Sequence, residues 1–526
     1  MVGLFFAIIS VLATWLGLGL IFVGLGLGLR RLYGLATLEA EGLFTAFWLG
    51  WALILGFLQL WHLLLPVDWR ALAVVTALGL AGLIFTWQEL WHLFKKRAPG
   101  KGLFLLLFLL AALWTADHAI LLPMFYDSGL YHLHAVRWAT SYPVVPGLGN
   151  LHIRLGFNIS YFLYVALLEV GPWVQRSQHL ANGLLILALL GQILLSAFKI
   201  LKNIHGRVAV HHIFLVMFLP AALKMAAHFF VASPSPDLPV FVLGVVLSAA
   251  LLRYAFDAES GYEERGFDLF CISLMAAVGL IVKLNFLVLG LGALVAALVI
   301  WFSKHGRGDK LKDSSPLVWV TLGVAIIWLP WMVQGVITSG YPFCPLSFGA
   351  FQVDWRIPQE NLTEHMDWIR SWARAPGMEP GKVLTNWDWL KPWFGEMLKT
   401  DEGRLNLVTP AVLTFIFAGL GLYGRLTAKD KINIPALSWL FLLYPLASIL
   451  FWFVTAPDPR YVGAGFWILA AGAGALAIAG FEDRPNPLMT PLLALCLALA
   501  LSIIFLDKPL KPSKKRQTTF NVPPPG

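Results

Sequence analysis

The sequence predicts an all-α fold, a polytopic transmembrane helical bundle of about 13–14 spans, on three observations. First, 59% of the 526 residues are hydrophobic and only 13% are charged, where a soluble chain carries about a quarter charged residues. Second, apolar runs of about eighteen residues or more recur from end to end, the length that crosses a hydrocarbon core as a helix. Third, lipid offers no partner to an open backbone, so helices are the expected spanning element.

The runs lie at 2–29, 42–65, 69–94, 102–123, 179–201, 208–230, 238–256, 267–281, 285–302, 316–338, 406–424, 435–455, 461–480 and 487–506. The first is too long for a cleaved leader, and no small-residue cleavage site follows it, so it reads as a retained span. The next two complete an N-terminal three-helix accessory module over residues 1–100. A core follows over 101–480, and 481–526 supplies a last span and a polar tail. The run 267–302 is too long for one helix and carries Lys283 in its middle, so it splits there into two short spans. The run 156–171 is too short to cross and reads as an interfacial or re-entrant helix.

The formal charge of +9 does not point to nucleic acid, because the basic residues sit in short loops between spans. Arg30–Arg31, Lys95–Lys101, Lys199–Arg207, Lys304–Lys312 and Arg425–Lys431 alternate with less basic connections. By the positive-inside rule these loops are cytoplasmic. Two large outer segments result, 124–178 and 339–405. The same count places the tail outside, where Lys514, Lys515 and Arg516 fit poorly. Cys271 and Cys496 fall in apolar runs and only Cys344 in a long loop, which leaves no disulfide framework.

That assignment gathers the polar motifs on one face. Asp127 stands where the fourth span emerges, ahead of a mixed stretch containing Tyr131, His132 and Arg137. It either caps the following helix or works as an acid–base group, and the two roles are compatible. The glycine-rich stretch 146–158 suggests tight turns or close backbone approach to a ligand. Within it, Arg154 either binds a phosphate or lies among headgroups. Ser233-Pro-Ser-Pro-Asp237 forms a turn that sets Asp237 at a helix start. Lys224 lies inside the apolar zone, where an ionisable group is a functional candidate unless it snorkels to the interface. The loop 339–345 and the stretch 456–461, with Asp458, Arg460 and Tyr461, complete the set. Arginine offers a rigid fork for a phosphate. His132 and His134 diverge on a helix, and His211 and His212 sit at the far end of their span, so zinc-ligand spacing is missing. No GxSxG or Walker motif occurs, which argues against a serine hydrolase or an ATP-driven pump.

These features resemble the GT-C superfamily of integral-membrane glycosyltransferases, in which an acidic residue opens the first large outer loop and surface-lying helices follow. More closely, the chain resembles bacterial membrane proteins with the stretches YDSGLYH, VPGLGNLH, SGYP and PDPR, here at 126–132, 145–152, 339–342 and 457–460. The likeness covers roughly 100–470. It departs in having three spans ahead of the one that leads into the acidic loop, a single Asp127 there, and no large C-terminal soluble domain. The resemblance implies a multi-pass enzyme of the bacterial inner membrane with its active site facing the periplasm. It would move a sugar from a polyprenyl-phosphate donor to a glycan, lipid or protein acceptor, and the resemblance implies inversion at the anomeric carbon. Asp127 is the expected general base. Lys283, Arg460, Arg154, Lys224, Tyr131, His132 and Tyr461 are expected around the donor phosphate or substrate, and Asp237 toward the acceptor or a divalent cation. Two alternatives stay open: a transporter or flippase of lipid-linked saccharides, and a glycan ligase or polymerase.

Overall fold

The computed structural model describes residues 2–96, 100–203, 208–257, 260–304, 315–427, 439–479 and 489–506. Arg97, Arg207, Arg307, Lys310, Lys312, Lys429, Lys431 and the basic tail lie outside the described residues. Within them there are helices and turns and no strand, and the fold is an all-α polytopic bundle. Among the described residues ten helices are long and apolar enough to cross a membrane, eleven if one bent pair counts as a span, and there are three shorter apolar helices.

The chain opens with α1 (Val2–Leu32), α2 (Ala40–His62) and α3 (Trp69–Phe85). The run expected at 69–94 is not one straight helix. It bends by 63° at Thr86 into α4 (Trp87–Lys95), where the Thr86 hydroxyl donates back to the Gly82 carbonyl at 2.8 Å. Glycines let α1 meet both neighbours backbone to backbone. A Cβ on Gly26 would lie 1.9 Å from the Ala46 oxygen, and one on Gly50 would lie 1.8 Å from the Phe22 oxygen. These helices are not a detached module: Phe22, Trp48, Trp51 and Leu55 of α1 and α2 join the same buried core as Leu184 and Phe270.

After α5 (Lys101–Ala119) come the short helices α6 (Leu133–Ser141), α7 (Leu148–Leu151) and α8 (Tyr161–Leu167). α8 corrects the interfacial half of the interfacial-or-re-entrant reading of 156–171, since every one of its residues is buried in the bundle. Its apolar run covers no membrane surface because Tyr161 and Tyr164 pack inward and find polar partners in α9 (Gln178–Lys202). The next span is broken into α10 (Val210–Met217) and α11 (Leu219–Ala227). Pro220 follows the break, and proline supplies no donor to the preceding turn.

α12 (Asp237–Phe256) and α13 (Tyr262–Val282) form the centre: 94% of the spanning window of α13 is buried, against 6% of Asp401–Tyr423 at the perimeter. Lys283 has extended backbone (φ −162°, ψ 129°), which ends α13 and separates it from α14 (Leu287–Lys304), at the point where the sequence places the split. α15 (Ser315–Ser339) leads into the segment carrying α16 (Gln359–Arg374), α17 (Pro380–Val383), α18 (Leu390–Lys399) and α19 (Asp401–Gly403). The chain finishes with α20 (Thr409–Thr427), α21 (Leu440–Thr455), α22 (Gly465–Ala479) and α23 (Met489–Leu506).

Strict alternation of these spans brings the ends of α5, α11, α13, α15 and α21 and the starts of α9, α12 and α22 to one end of the bundle. The segments 120–177 and 340–400 cover that end.

Candidate functional site

Asp127 opens the site. It precedes a π-helical turn, Ser128–His132, and its side chain makes no cap hydrogen bond to that turn. The capping alternative is thereby corrected: the carboxylate turns away to accept from Arg154 Nη1 at 2.7 Å, and Arg460 Nη1 stands 3.7 Å from its other oxygen. A wide turn of this kind re-aims the side chains that follow it.

Arg154 reaches Asp127 because the glycine-rich stretch fixes its backbone. Gly147, at φ +68°, donates to the Ile337 carbonyl at the end of α15. A Cβ on Gly149 would lie 2.5 Å from Ile357 and 3.2 Å from the Thr338 oxygen. The close approach expected here is to α15 and its following loop, not to a ligand. The 339–345 loop is likewise scaffolding. Ser339 Oγ caps the Tyr341 amide, and the Tyr341 hydroxyl donates to the Ile357 carbonyl at 3.0 Å.

A second ion pair lies beside the first. Lys283 donates to Asp237 Oδ1, and Ser235 Oγ donates to Oδ2 at 3.1 Å. Both oxygens of Asp237 thus have protein partners and the residue is buried, which suits an anchor for Lys283 better than the metal or acceptor role expected of it. The Pro-rich turn is held by Asn182, whose amide donates to the carbonyls of Phe230, Ser233 and Ser235 at 2.7–3.0 Å and which accepts from the Tyr161 hydroxyl at 2.6 Å. Ser128 and Ser233 share a hydrogen bond of 2.9 Å, which ties the Asp127 turn to the Asp237 turn.

The third piece is the 456–461 turn. Asp458 Oδ1 accepts from the Arg460 amide at 2.9 Å, and both carboxylate oxygens take the Arg460 guanidinium, at 3.2 and 3.1 Å. Burial works against the charge of Arg460, but Asp458 and its other anionic neighbours raise its pKa above the ordinary value. Its guanidinium carbon lies 5.6 Å from the Phe125 ring and 5.5 Å from that of Tyr461. Tyr461 also faces Lys283, whose ammonium is 4.9 Å from the ring centre, and Tyr131 lies 5.4 Å from the guanidinium of Arg154. Burial, first of all, pushes both tyrosines up, so they stand as neutral aromatic walls against the cations.

Asp127, Arg154, Asp237, Lys283, Arg460, Tyr131 and Tyr461 therefore converge. Two expected members do not join in the expected way. His132 is buried against Phe125 and Phe162, and burial pushes its pKa down to about 3, so it offers a neutral imidazole rather than a charge for phosphate. Lys224 is exposed on α11, where its charge acts on His228 and Asp401, and it has no part in the Arg154–Asp127, Arg460–Asp127 and Lys283–Asp237 ion pairs. Asp458, Ser128, Ser233 and Ser235 lie in the polar motifs of the sequence but carried no role there, and Asn182 lies in none of them. The local signals were the Asp-Pro-Arg spacing that forms the Asp458 turn and the Ser-Pro-Ser-Pro-Asp turn that holds Ser233 and Ser235; Asn182, within an apolar span, had none.

An apolar groove of about 1010 Å³ runs beside this turn between α18, α20 and α21. Its walls include Trp393, Phe394, Val412, Phe415, Trp452 and Phe453. Trp393 donates to the Pro457 carbonyl at 2.8 Å, and Trp452 donates to that of Asp458 at 2.7 Å. The groove and the Arg460 turn consequently share structural supports. Chemically, the arrangement can hold an anionic headgroup at the guanidinium and ammonium groups while a hydrocarbon chain lies against the tryptophans.

The model of a domain of unknown function, DUF8201, matches residues 8–467. The chain belongs to the DUF8201 family. No curated protein and no solved structure matches it. The DUF8201 match takes in α1–α3 as well as Asp127, Asp237, Lys283 and Arg460, so the N-terminal helices and the charged cluster belong to one family unit.

Proposed function

We propose that this DUF8201 chain is a GT-C-type membrane glycosyltransferase that moves a sugar from a polyprenyl-phosphate donor to an acceptor at the outer, periplasmic face of a bacterial inner membrane. The observation that carries the reading is the meeting of Asp127 with Arg154 and Arg460, beside the Asp237–Lys283 pair and next to a lipid-sized apolar groove.

In this reading the donor phosphate takes the Arg460 and Arg154 guanidinium groups, which are suited to bidentate phosphate contacts. That contact loosens Asp127 from its cationic partners. Asp127 then accepts the proton of the acceptor hydroxyl as its oxygen attacks the anomeric carbon. The bond from that carbon to the phosphate oxygen breaks, its electron pair leaves with the lipid phosphate, and the configuration inverts. The cations oppose the charge gathering on the leaving phosphate.

Transport of a lipid-linked saccharide is the rival. A second charged cluster does exist at the other end of the bundle, around Arg253–Asp268 and Glu41. Along α12, however, Asp237 and Arg253 are separated by about 24 Å at 1.5 Å per residue, and Ser248 is the only polar side chain in 238–252. An apolar interval of that length supports an interfacial reaction over a continuous polar path.

The deciding experiment is transfer in proteoliposomes, using a panel of radiolabelled polyprenyl-phosphate sugars and wild-type and Asp127→Asn protein. Asp127→Asn is expected to lower turnover by about 10²–10⁴-fold with an unchanged size-exclusion profile. Near-normal turnover in the folded variant would remove Asp127 as the base.

A further inference from the structure

At the end of the bundle away from Asp127, three side chains from two distant helices meet. Glu41 stands in the first turn of α2, and His211 and His212 stand in the first turn of α10. Each imidazole Nε2 lies 3.3 Å from a different Glu41 oxygen. The candidate ligand atoms all fall within 4.8 Å of one another. We propose that Glu41, His211 and His212 form a binding site for one divalent transition-metal ion of the zinc class.

Four observations carry this assignment. The donor set is two imidazoles and one carboxylate, a set that zinc binds at about 2.0–2.2 Å in tetrahedral sites. A tetrahedron with such bonds has edges of about 3.3–3.6 Å; each Nε2 stands 3.3 Å from its own Glu41 oxygen, and the three candidate ligand atoms lie within 4.8 Å of one another, so a small side-chain shift brings them to that geometry. Next, His212 Nδ1 is 3.1 Å from Ser196 Oγ. That second contact orients the ring and leaves Nε2 facing Glu41, as outer-shell partners do for metal-bound histidines. Finally, Glu41 and His211 border a cavity of about 40 Å³, larger than the volume of about 10–15 Å³ that one water requires. A water there supplies a fourth ligand.

Lys199, in the last turn of α9, donates to Glu41 Oε1 and is the resident cation. Its side chain is 38% exposed, so it can withdraw into solvent when a divalent ion takes the carboxylate. Lys199 therefore competes with the metal and sets its affinity. Adjacent histidines on a helix diverge at their Cα atoms. Here they serve one carboxylate because the rings fold together, with centroids 4.0 Å apart.

The site is independent of the transferase reading. The test is zinc titration of the chelator-stripped, full-length chain in detergent, against a chromophoric competitor, with cobalt(II) absorption as a second readout. Wild type is expected to bind one zinc per chain with a tetrahedral cobalt spectrum. The His211→Gln/His212→Gln double variant is expected to lose both signals while keeping its helicity. Ser196→Ala should weaken binding by about 10–100-fold, and Lys199→Met should tighten it. Absence of saturable binding in wild type, or equal binding in the double variant, overturns the site. Equal affinity of wild type and Lys199→Met overturns Lys199 as the competing cation.

Discussion

At the scale of single residues, the ion pairs act as pairs. Asp237 and Lys283 are both largely shielded from water, so removing one leaves the other as an uncompensated charge. Lys283→Met is expected to destabilise the protein by about 3–5 kcal/mol, and Lys283→Met with Asp237→Asn to recover most of that loss. Thermal unfolding in detergent measures both; no recovery in the double variant would show that Lys283 matters through another partner. His132 gives a pH prediction. Its Nδ1 has no hydrogen-bond partner among the described residues, and burial holds its pKa at about 3, below the ordinary 6.5. Above pH 6.5 neither folded nor unfolded chain carries the proton, and its contribution to stability is complete. As the pH falls from 6.5 toward 3, the unfolded chain binds the proton first, and stability drops by up to about 1.4 kcal/mol per pH unit. His132→Phe keeps the stacking on Phe125 and Phe162 and is expected to flatten that acid limb in a pH series of melting temperatures.

At the scale of elements, the breaks matter as much as the helices. The α13–α14 junction was legible in the sequence, because a lysine in the middle of an overlong apolar run has to reach a polar environment. The bend at Thr86 was not: Trp69–Phe85 and Trp87–Lys95 together are long and apolar enough to read as one span, and the break depends on a threonine whose effect is set by its surroundings. The burial of α8 was also hidden, since a short apolar run suits an interface and a protein interior equally. The crossings of α1 with α2 and α3 rest on glycine. Gly50→Val would drive side-chain atoms against the Phe22 carbonyl, 1.8 Å from the Cβ position, at a cost of about 1–3 kcal/mol if the helices part. The same change at Gly19, whose Cβ position has nothing within 4 Å, serves as the control. Equal melting temperatures for the two variants would contradict the close crossing.

At the scale of the whole molecule, the bundle has two differently equipped ends, separated along α12 by residues 238–252, in which Ser248 is the only polar side chain. The proposed sidedness is testable because Cys271, Cys344 and Cys496 are buried. A cysteine introduced at exposed Asn386, in the 340–400 segment, should react with an impermeant maleimide added to spheroplasts, and one at exposed Lys95 should react only after lysis. The reverse pattern would turn the protein over in the membrane and place the Asp127 cluster in the cytoplasm.

The sequence by itself determined the all-α membrane class, the sites of most spans, and the gathering of Asp127, Asp237, Lys283 and Arg460 at one end. Those features follow from composition and from alternation along the chain, which are local or one-dimensional. Only the tertiary structure decided that Arg154 and Arg460 both address Asp127, that Asp237 is committed to Lys283 and Ser235, and that Asn182 holds the turn between them. It alone brought Glu41 to His211 and His212 across 170 residues. The physical reason is the same in each case. A buried charge needs a partner within a few ångströms, and which partner it meets depends on how separate helices pack.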